Sequence, residues 1–139
     1  MKLQIIRPEQ DSIGGYEVAK ITQPNSLELS HVVDNSCESI LAADLMDSFS
    51  SNSVQQVCQA LVSKLRLGGE VSVGGTDVRF FSKFLVNGLL DVESACQIVT
   101  AAYSMSTSDM VVEALKSLGL EILTVHMDGL HYEVKAVRK

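Results

Sequence analysis

The segment Ser39–Gly75 constrains the fold more than any other part of the chain. Its apolar run Ser39–Ala43 predicts a buried strand, and the carboxylates of Asp44 and Asp47 follow where a parallel strand would leave its sheet. Apolar residues at helical spacing come next: Val54, Val57, Cys58, Leu61, Val62 and Leu65. Glu70–Gly74 then predicts a second buried strand. A strand, a helix and a strand in this order are typical of an α/β fold.

Two local features predict the ends of that helix. Ser53 and Gln56 have the spacing of an N-terminal capping box. Gly68 and Gly69 predict its end, because glycine adopts the left-handed conformation of a helix C-terminus without a Cβ clash.

The remaining strands are predicted at both ends of the chain. Lys2–Ile6 and Tyr16–Ile21 read as strands, and the loop between them is too short for a crossover helix. Leu27–Val33 predicts a further short strand. Leu120–Met127 and Leu130–Arg138 flank Asp128-Gly129, which predicts a hairpin with a type I′ turn.

Three more helices are predicted before the hairpin. The first is capped by Thr76 or Asp77 and runs to about Asn87, the second is Val92–Tyr103 behind a cap at Asp91, and the third is Asp109–Leu118. The first of these contains Phe80, Phe81 and Phe84, for which packing under the sheet is the expected role and an apolar lid or partner surface the alternative.

Composition limits the class of protein. A chain of 139 residues predicts one domain, 1–139, and 46 % hydrophobic with 5 % aromatic residues predicts an aliphatic core. The net charge of −6 argues against nucleic-acid binding. No apolar run approaches about 18 residues and the first 15 lack a signal-peptide core, so a soluble cytoplasmic protein without membrane contact is expected.

The three cysteines, Cys37, Cys58 and Cys96, are expected to be buried free thiols.

Four segments together resemble the class I S-adenosylmethionine-dependent methyltransferases, and most closely their small predicted members. The segments are KLQIIRPEQDSIGGYEVAKI, VVDNSCESILAADLMDSF, LVSKLRLGGEVSVGGTD and VVEALKSLGLEIL. The resemblance implies a three-layer Rossmann-like α/β fold. Its mostly parallel sheet would have six or seven strands, the last of them antiparallel within the C-terminal hairpin, with helices on both faces.

The resemblance also implies a cofactor site that this sequence alters. Ile6, Arg7 and Pro8 stand where the family has its cofactor glycines, and Lys20 stands where an acidic residue accepts bonds from the ribose hydroxyls. A lysine cannot accept those bonds. The positions that would meet S-adenosylmethionine are Ile6, Arg7, Glu9, Gly14 and Lys20. Binding of this cofactor is therefore expected to be weak or lost.

The candidate catalytic residues are Asp44 and Asp47, as a general base or as ligands for a hydroxyl or amine. The alternative is a solvated turn that stabilises the following helix. Arg7 and Glu9 could hold an anionic ligand or pair with each other, and Asp77 could be a helix cap. His31, His126 and His131 form no metal-ligand spacing with a cysteine, so no metal site is predicted: the sequence lacks the usual pattern.

Two functions follow from these observations. The first is a small methyltransferase that uses S-adenosylmethionine in an altered site around Ile6–Gly15, Lys20 and Asp44, with a small molecule or a protein as its partner. The second is a non-catalytic binding module that retains the fold and acts as a homodimer or as the partner of an active enzyme.

Overall fold

A computed structural model describes all residues, Met1–Lys139. Six strands form one sheet: β1 Lys2–Ile6, β2 Glu17–Lys20, β3 Cys37–Ala42, β4 Leu65–Thr76, β5 Leu120–Asp128 and β6 His131–Arg138. Four α-helices connect them: α1 Val54–Lys64, α2 Val78–Val86, α3 Val92–Ala101 and α4 Ser108–Ser117. None of the helices is both long and apolar enough to cross a membrane.

The sheet has the strand order β2-β1-β3-β4-β6-β5. Strands β1 to β4 pair in parallel, whereas β6 pairs antiparallel with both β4 and β5. The predicted α/β fold with a mostly parallel sheet and an antiparallel C-terminal hairpin is confirmed. The four parallel strands bring their carboxyl ends to one edge, which is where such sheets bind ligands.

The helical layer lies on one face of the sheet. Helices α1 and α4 pack against each other and against β4 and β6, and enclose the main core. The opposite face carries half-buried polar side chains, among them Ser72, Glu70 and Lys135, and the last two form an ion pair of 3.1 Å. The expected helices on both faces are thus found on one, because the β1–β2 connection contains no helix.

The double glycine in the central unit does not end the helix as predicted. Helix α1 ends at Lys64, and both glycines lie inside β4. Between the pairs Cys37–Leu65 and Ser39–Glu70 the register shifts, so β4 carries extra residues there. Gly68 has φ of +79°, which permits this irregularity.

Three local predictions in this part of the chain are wrong. Ser53 makes no capping hydrogen bond; its hydroxyl lies 2.9 Å from that of Ser50. Leu27–Val33 forms no strand, because Val32 N–H donates to the Leu29 carbonyl in a local turn. Cys96 is exposed, while Cys37 and Cys58 are buried as expected.

The second half of the chain follows the predictions more closely. Asp77 and Asp91 accept backbone hydrogen bonds as the caps of α2 and α3. The hairpin forms, but Asp128 pairs with His131, so Gly129 and Leu130 are the central residues of its turn. Gly129 alone has positive φ, at 62°, which fits a type II′ turn rather than the predicted type I′.

The phenylalanines of α2 do not pack under the sheet. Phe81 is buried against α3, and Phe80 and Phe84 are half-buried in an edge-to-face contact with centroids 6.3 Å apart. Helix α2 thus packs on α3 at the edge of the molecule.

Candidate functional site

A cleft of about 300 Å³ opens at the carboxyl edge of the sheet. Three loops form its walls: Arg7–Glu9 after β1, residues 21–24 after β2, and Asp47-Ser48 after β3. Ala101 and Tyr103 close it at the end of α3. The cleft therefore lies where the sequence placed the ligand edge.

Arg7 and Glu9 contribute opposite charges to one wall of this cleft. Arg7 Nε lies 2.8 Å from Glu9 Oε1, and the Arg7 side chain is about one-third exposed, at 32 %. The Nε–H group is buried and is not aimed at the carboxylate, so the contact is an ion pair without a well-formed hydrogen bond. A ligand carboxylate or phosphate could replace Glu9 at this guanidinium.

Asp47 is held rigidly on the opposite wall. Its Oδ1 accepts the Thr76 N–H at 2.7 Å, and its Oδ2 accepts the Thr76 hydroxyl at 3.0 Å. Its main-chain carbonyl accepts Tyr103 N–H at 2.9 Å, which ties the end of α3 to the site. Burial raises the pKa of Asp47 above the usual 3.8, and the charge of Asp44 adds to this increase, while the bonds from Thr76 oppose it.

Asp44 belongs to a different cavity. It lines a smaller space of about 160 Å³ beneath the β1–β2 loop, together with Ile6 and Gln10. Its Oδ2 accepts a hydrogen bond from the side-chain Nε2 of Gln10 at 2.6 Å. The side-chain Oε1 of Gln10 in turn accepts the main-chain N–H of Arg7 at 2.8 Å. The two predicted catalytic aspartates are thus neighbours, and each lines a different cavity.

His131 joins this edge without having been predicted as a site residue. Its Nε2 lies 2.8 Å from the Ala43 carbonyl oxygen and 3.3 Å from Asp44 Oδ1. It starts β6 and pairs with Thr76, beside the end of β4. The sequence could have placed His131 at this edge only through the register of β6, which pairs antiparallel with Glu70–Thr76 of β4.

Asp44, Asp47 and His131 offer ligand atoms that all lie within 4.8 Å of one another, as a metal site requires. Their hydrogen bonds favour a structural network instead. Nε2 of His131 faces two oxygen acceptors, so it carries a proton and has no lone pair for a metal on that side. Each oxygen of Asp47 accepts one bond from Thr76 and keeps a second lone pair, so it is His131 that disfavours a metal here.

The other predicted cofactor positions are dispersed. Ile6 is buried at the end of β1, and its carbonyl accepts Ile21 N–H at 2.9 Å. Gly14 lies in an exposed loop with nothing within 4 Å of its missing Cβ. Lys20 is exposed on β2 and lines neither cavity. Of the predicted set, only Arg7 and Glu9 reach the cleft.

Asp77 is the N-terminal cap of α2, as predicted. It is fully buried, and its carboxylate accepts Arg79 N–H at 2.9 Å and Ser108 N–H at 3.3 Å. It therefore joins the first turns of α2 and α4, where the helix dipoles favour a negative charge.

No family model and no curated protein sequence matches this chain. Solved structures do. An O-methyltransferase family protein from Burkholderia thailandensis superposes with a TM-score of 0.61 and 11 % identity over 88 % of this chain and 36 % of its own. Magnesium protoporphyrin IX methyltransferase from Synechocystis PCC 6803, solved with bound SAH, gives 0.58 and 14 % over 91 % of this chain and 53 % of its own.

A SAM-dependent methyltransferase from Archaeoglobus fulgidus gives a TM-score of 0.57 and 9 % identity over 90 % of this chain and 69 % of its own. The chain thus spans about a third to two-thirds of the length of these neighbours. At sequence identities this low, the structural similarity establishes a shared fold. The chain has the class I methyltransferase-like fold, which confirms the resemblance at that level.

Proposed function

We propose that this chain is a methyltransferase-like protein with an altered cofactor site, whose cleft binds a small polar ligand without supporting methyl transfer. The observation that carries the proposal is the sequence Arg7-Pro8-Glu9 in the wall of the cleft, in the place of the glycine loop of the family it resembles.

The main chain of this loop offers few donors to a cofactor. Pro8 has no N–H group, and the Arg7 N–H is already bonded to Gln10. In addition, the side chains of these residues occupy space that glycines would leave open. S-adenosylmethionine would supply an activated methyl group if bound, and the residues present do not fit its usual approach to the loop.

The cleft instead has the chemistry of a site for a small charged molecule. Arg7 can bind an anionic group, while Glu9 and Asp47 can accept bonds from a hydroxyl or amine. Thr22 and Tyr103 add hydroxyl groups at the rim. Its volume of about 300 Å³ is at the lower end for a ligand pocket, which favours a compact ligand.

Calorimetric titration with S-adenosylmethionine and S-adenosylhomocysteine tests the altered site. We expect dissociation constants no tighter than about 1 mM, equivalent to about −4 kcal/mol. Micromolar binding of S-adenosylmethionine together with methyl transfer to any acceptor would overturn the proposal.

A thermal-shift screen of small polar metabolites then tests the cleft. Arg7→Ala should abolish the shift given by a hit, whereas Lys20→Ala removes the same charge outside the cleft and should leave it unchanged. The ligand assignment would be refuted if Lys20→Ala lost the thermal shift and Arg7→Ala kept it. A screen without a hit at millimolar concentration would refute it as well.

A second candidate function is a non-catalytic interaction module. The specific observation in its favour is the exposed apolar surface of α2 and α3.

A further inference from the structure

We propose that Val78–Tyr103, the helical hairpin formed by α2 and α3, is an interface between two copies of this chain. The proposal concerns the second candidate function and holds whether or not the cleft binds S-adenosylmethionine.

The hairpin leaves most of its apolar side chains in solvent. Within α2 only Phe81 is buried, and within α3 only Ala95. Val86 is 83 % exposed, Leu89 72 % and Val92 71 %. The two helices pack mainly on each other, and these three side chains lie largely in solvent.

Two adjoining cavities make the face concave. One of about 330 Å³ lies between α2 and α3, and a second of about 290 Å³ runs towards Met105. Phe81 and Val99 line both, so the two cavities adjoin, and together they are called the groove. No charged residue lines either of them.

The exposed area suits a contact between two chains. The hairpin exposes six large hydrophobic side chains, and a concentration of exposed apolar groups marks an interaction surface: Val78, Val86, Leu89, Val92, Val99 and Tyr103. A standard interface takes about 20–30 residues from each partner, and the hairpin spans residues 78–103. Two hairpins that meet across a twofold axis form a four-helix arrangement with a shared core.

The charge distribution favours a second copy as the occupant. The hairpin carries two basic residues, Arg79 and Lys83, and two acidic ones, Asp91 and Glu93, so its net charge is zero. The chain as a whole carries −6, all of it outside the hairpin. Two copies that meet through this neutral hairpin bring no net like charge together, although the chain as a whole is acidic. Arg79 already pairs with Asp109 of α4, whereas Lys83 makes no ion pair within the chain and can meet Asp91 or Glu93 of a second copy when α2 of one chain lies on α3 of the other.

Sedimentation velocity across protein concentrations tests the interface. At about 100 µM, well above a micromolar dissociation constant, the wild type should sediment as a dimer. Val92→Glu should sediment as a monomer, because it places a charge in the groove; Val92 begins α3, where glutamate suits the helix dipole. Val33→Glu is the matched control, since Val33 is 73 % exposed outside the hairpin, and it should remain a dimer.

Val99→Glu provides a second disruptive variant, and circular dichroism verifies that each variant is folded. The thiol of Cys96 lies in the groove, so its labelling rate in the wild type should fall as protein concentration rises. A wild type that stays monomeric at 100 µM, including one that binds a different protein instead, overturns the proposal. So does a dimer that survives both groove substitutions. Either failure leaves the cleft experiments unaffected.

Discussion

The His131 imidazole contacts the Ala43 carbonyl oxygen across an intervening strand. Ala43 follows the last residue of β3, and His131 is the first residue of β6. Strand β4 lies between these two strands, and Gly74 is its residue at the contact. A Cβ on Gly74 would lie 2.1 Å from the Ala43 oxygen, 2.6 Å from the Tyr132 carbonyl oxygen and 3.0 Å from His131 Nε2. The absence of a side chain at this glycine is what brings the three strands together at the site.

Gly74→Ala should therefore be strongly destabilising. Two of the three close contacts are to backbone atoms, which cannot move aside without disturbing the sheet. We expect a loss of at least about 3 kcal/mol in the free energy of unfolding, measured by urea denaturation. Gly14→Ala is the control, because nothing lies within 4 Å of the added Cβ, and it should change stability little. Equal stability of the two variants would show that β4 does not make this close approach.

Asp47 should make stability depend on pH. Its folded pKa is raised above 3.8 mainly by burial, so the folded chain holds the proton more tightly than the unfolded chain does. The resulting stabilisation is complete below about pH 3.8 and is lost as pH rises through the raised pKa. Asp47→Asn carries no charge and can still accept the Thr76 N–H through its oxygen while its amide donates to the Thr76 hydroxyl. The stability of this variant relative to the wild type should therefore increase as pH rises from about 3.8 through the raised pKa.

Asp47→Ala separates the charge from the hydrogen bonds. It leaves the Thr76 N–H without its partner, so it should be less stable than Asp47→Asn by about 1–3 kcal/mol at neutral pH. Chemical denaturation of both variants and the wild type between pH 3.5 and about pH 7 checks this. An asparagine variant whose stability difference from the wild type is independent of pH would contradict the raised pKa.

The three thiols should differ in reactivity. Burial raises the pKa of Cys58 to about 12 and also raises that of Cys37, so both stay protonated and shielded at neutral pH. Cys96 is exposed. A thiol reagent applied to dilute native protein should label one cysteine quickly, and Cys96→Ser should remove that fast reaction. Rapid labelling of a second thiol in the folded wild type, or of any thiol in Cys96→Ser, would show that the core opens readily.

The predictable part of the fold rests on strong local signals. The alternation in Leu130–Arg138 fixes β6 with one face buried, and the aspartates at 77 and 91 each mark a helix start because their carboxylates bind free N–H groups there. Leu27–Val33 has a similar apolar content, yet it finds no neighbouring strand and its residues Leu29 and Val32 reach the core from a loop. Apolar content alone does not distinguish these outcomes.

The candidate site was harder to predict because it depends on long-range geometry. The sequence indicated the edge of the sheet, and it placed Asp44 and Asp47 there. The short 3-10 turn Leu45–Ser48 then places the two aspartates in the linings of different cavities, which a spacing of three residues does not reveal. His131 lies 88 residues from its partner Ala43, and only the sheet register brings them together.

The irregularity in β5 has a consequence for solubility. This nine-residue strand is one of the two edge strands of the sheet, and its register shifts between Ile122 and Thr124. A straight edge with exposed apolar residues such as Leu123 and Val125 would offer a regular row of unpaired amides to any extended peptide. The bulge interrupts that row, and an interrupted edge is a poorer template for the addition of another strand.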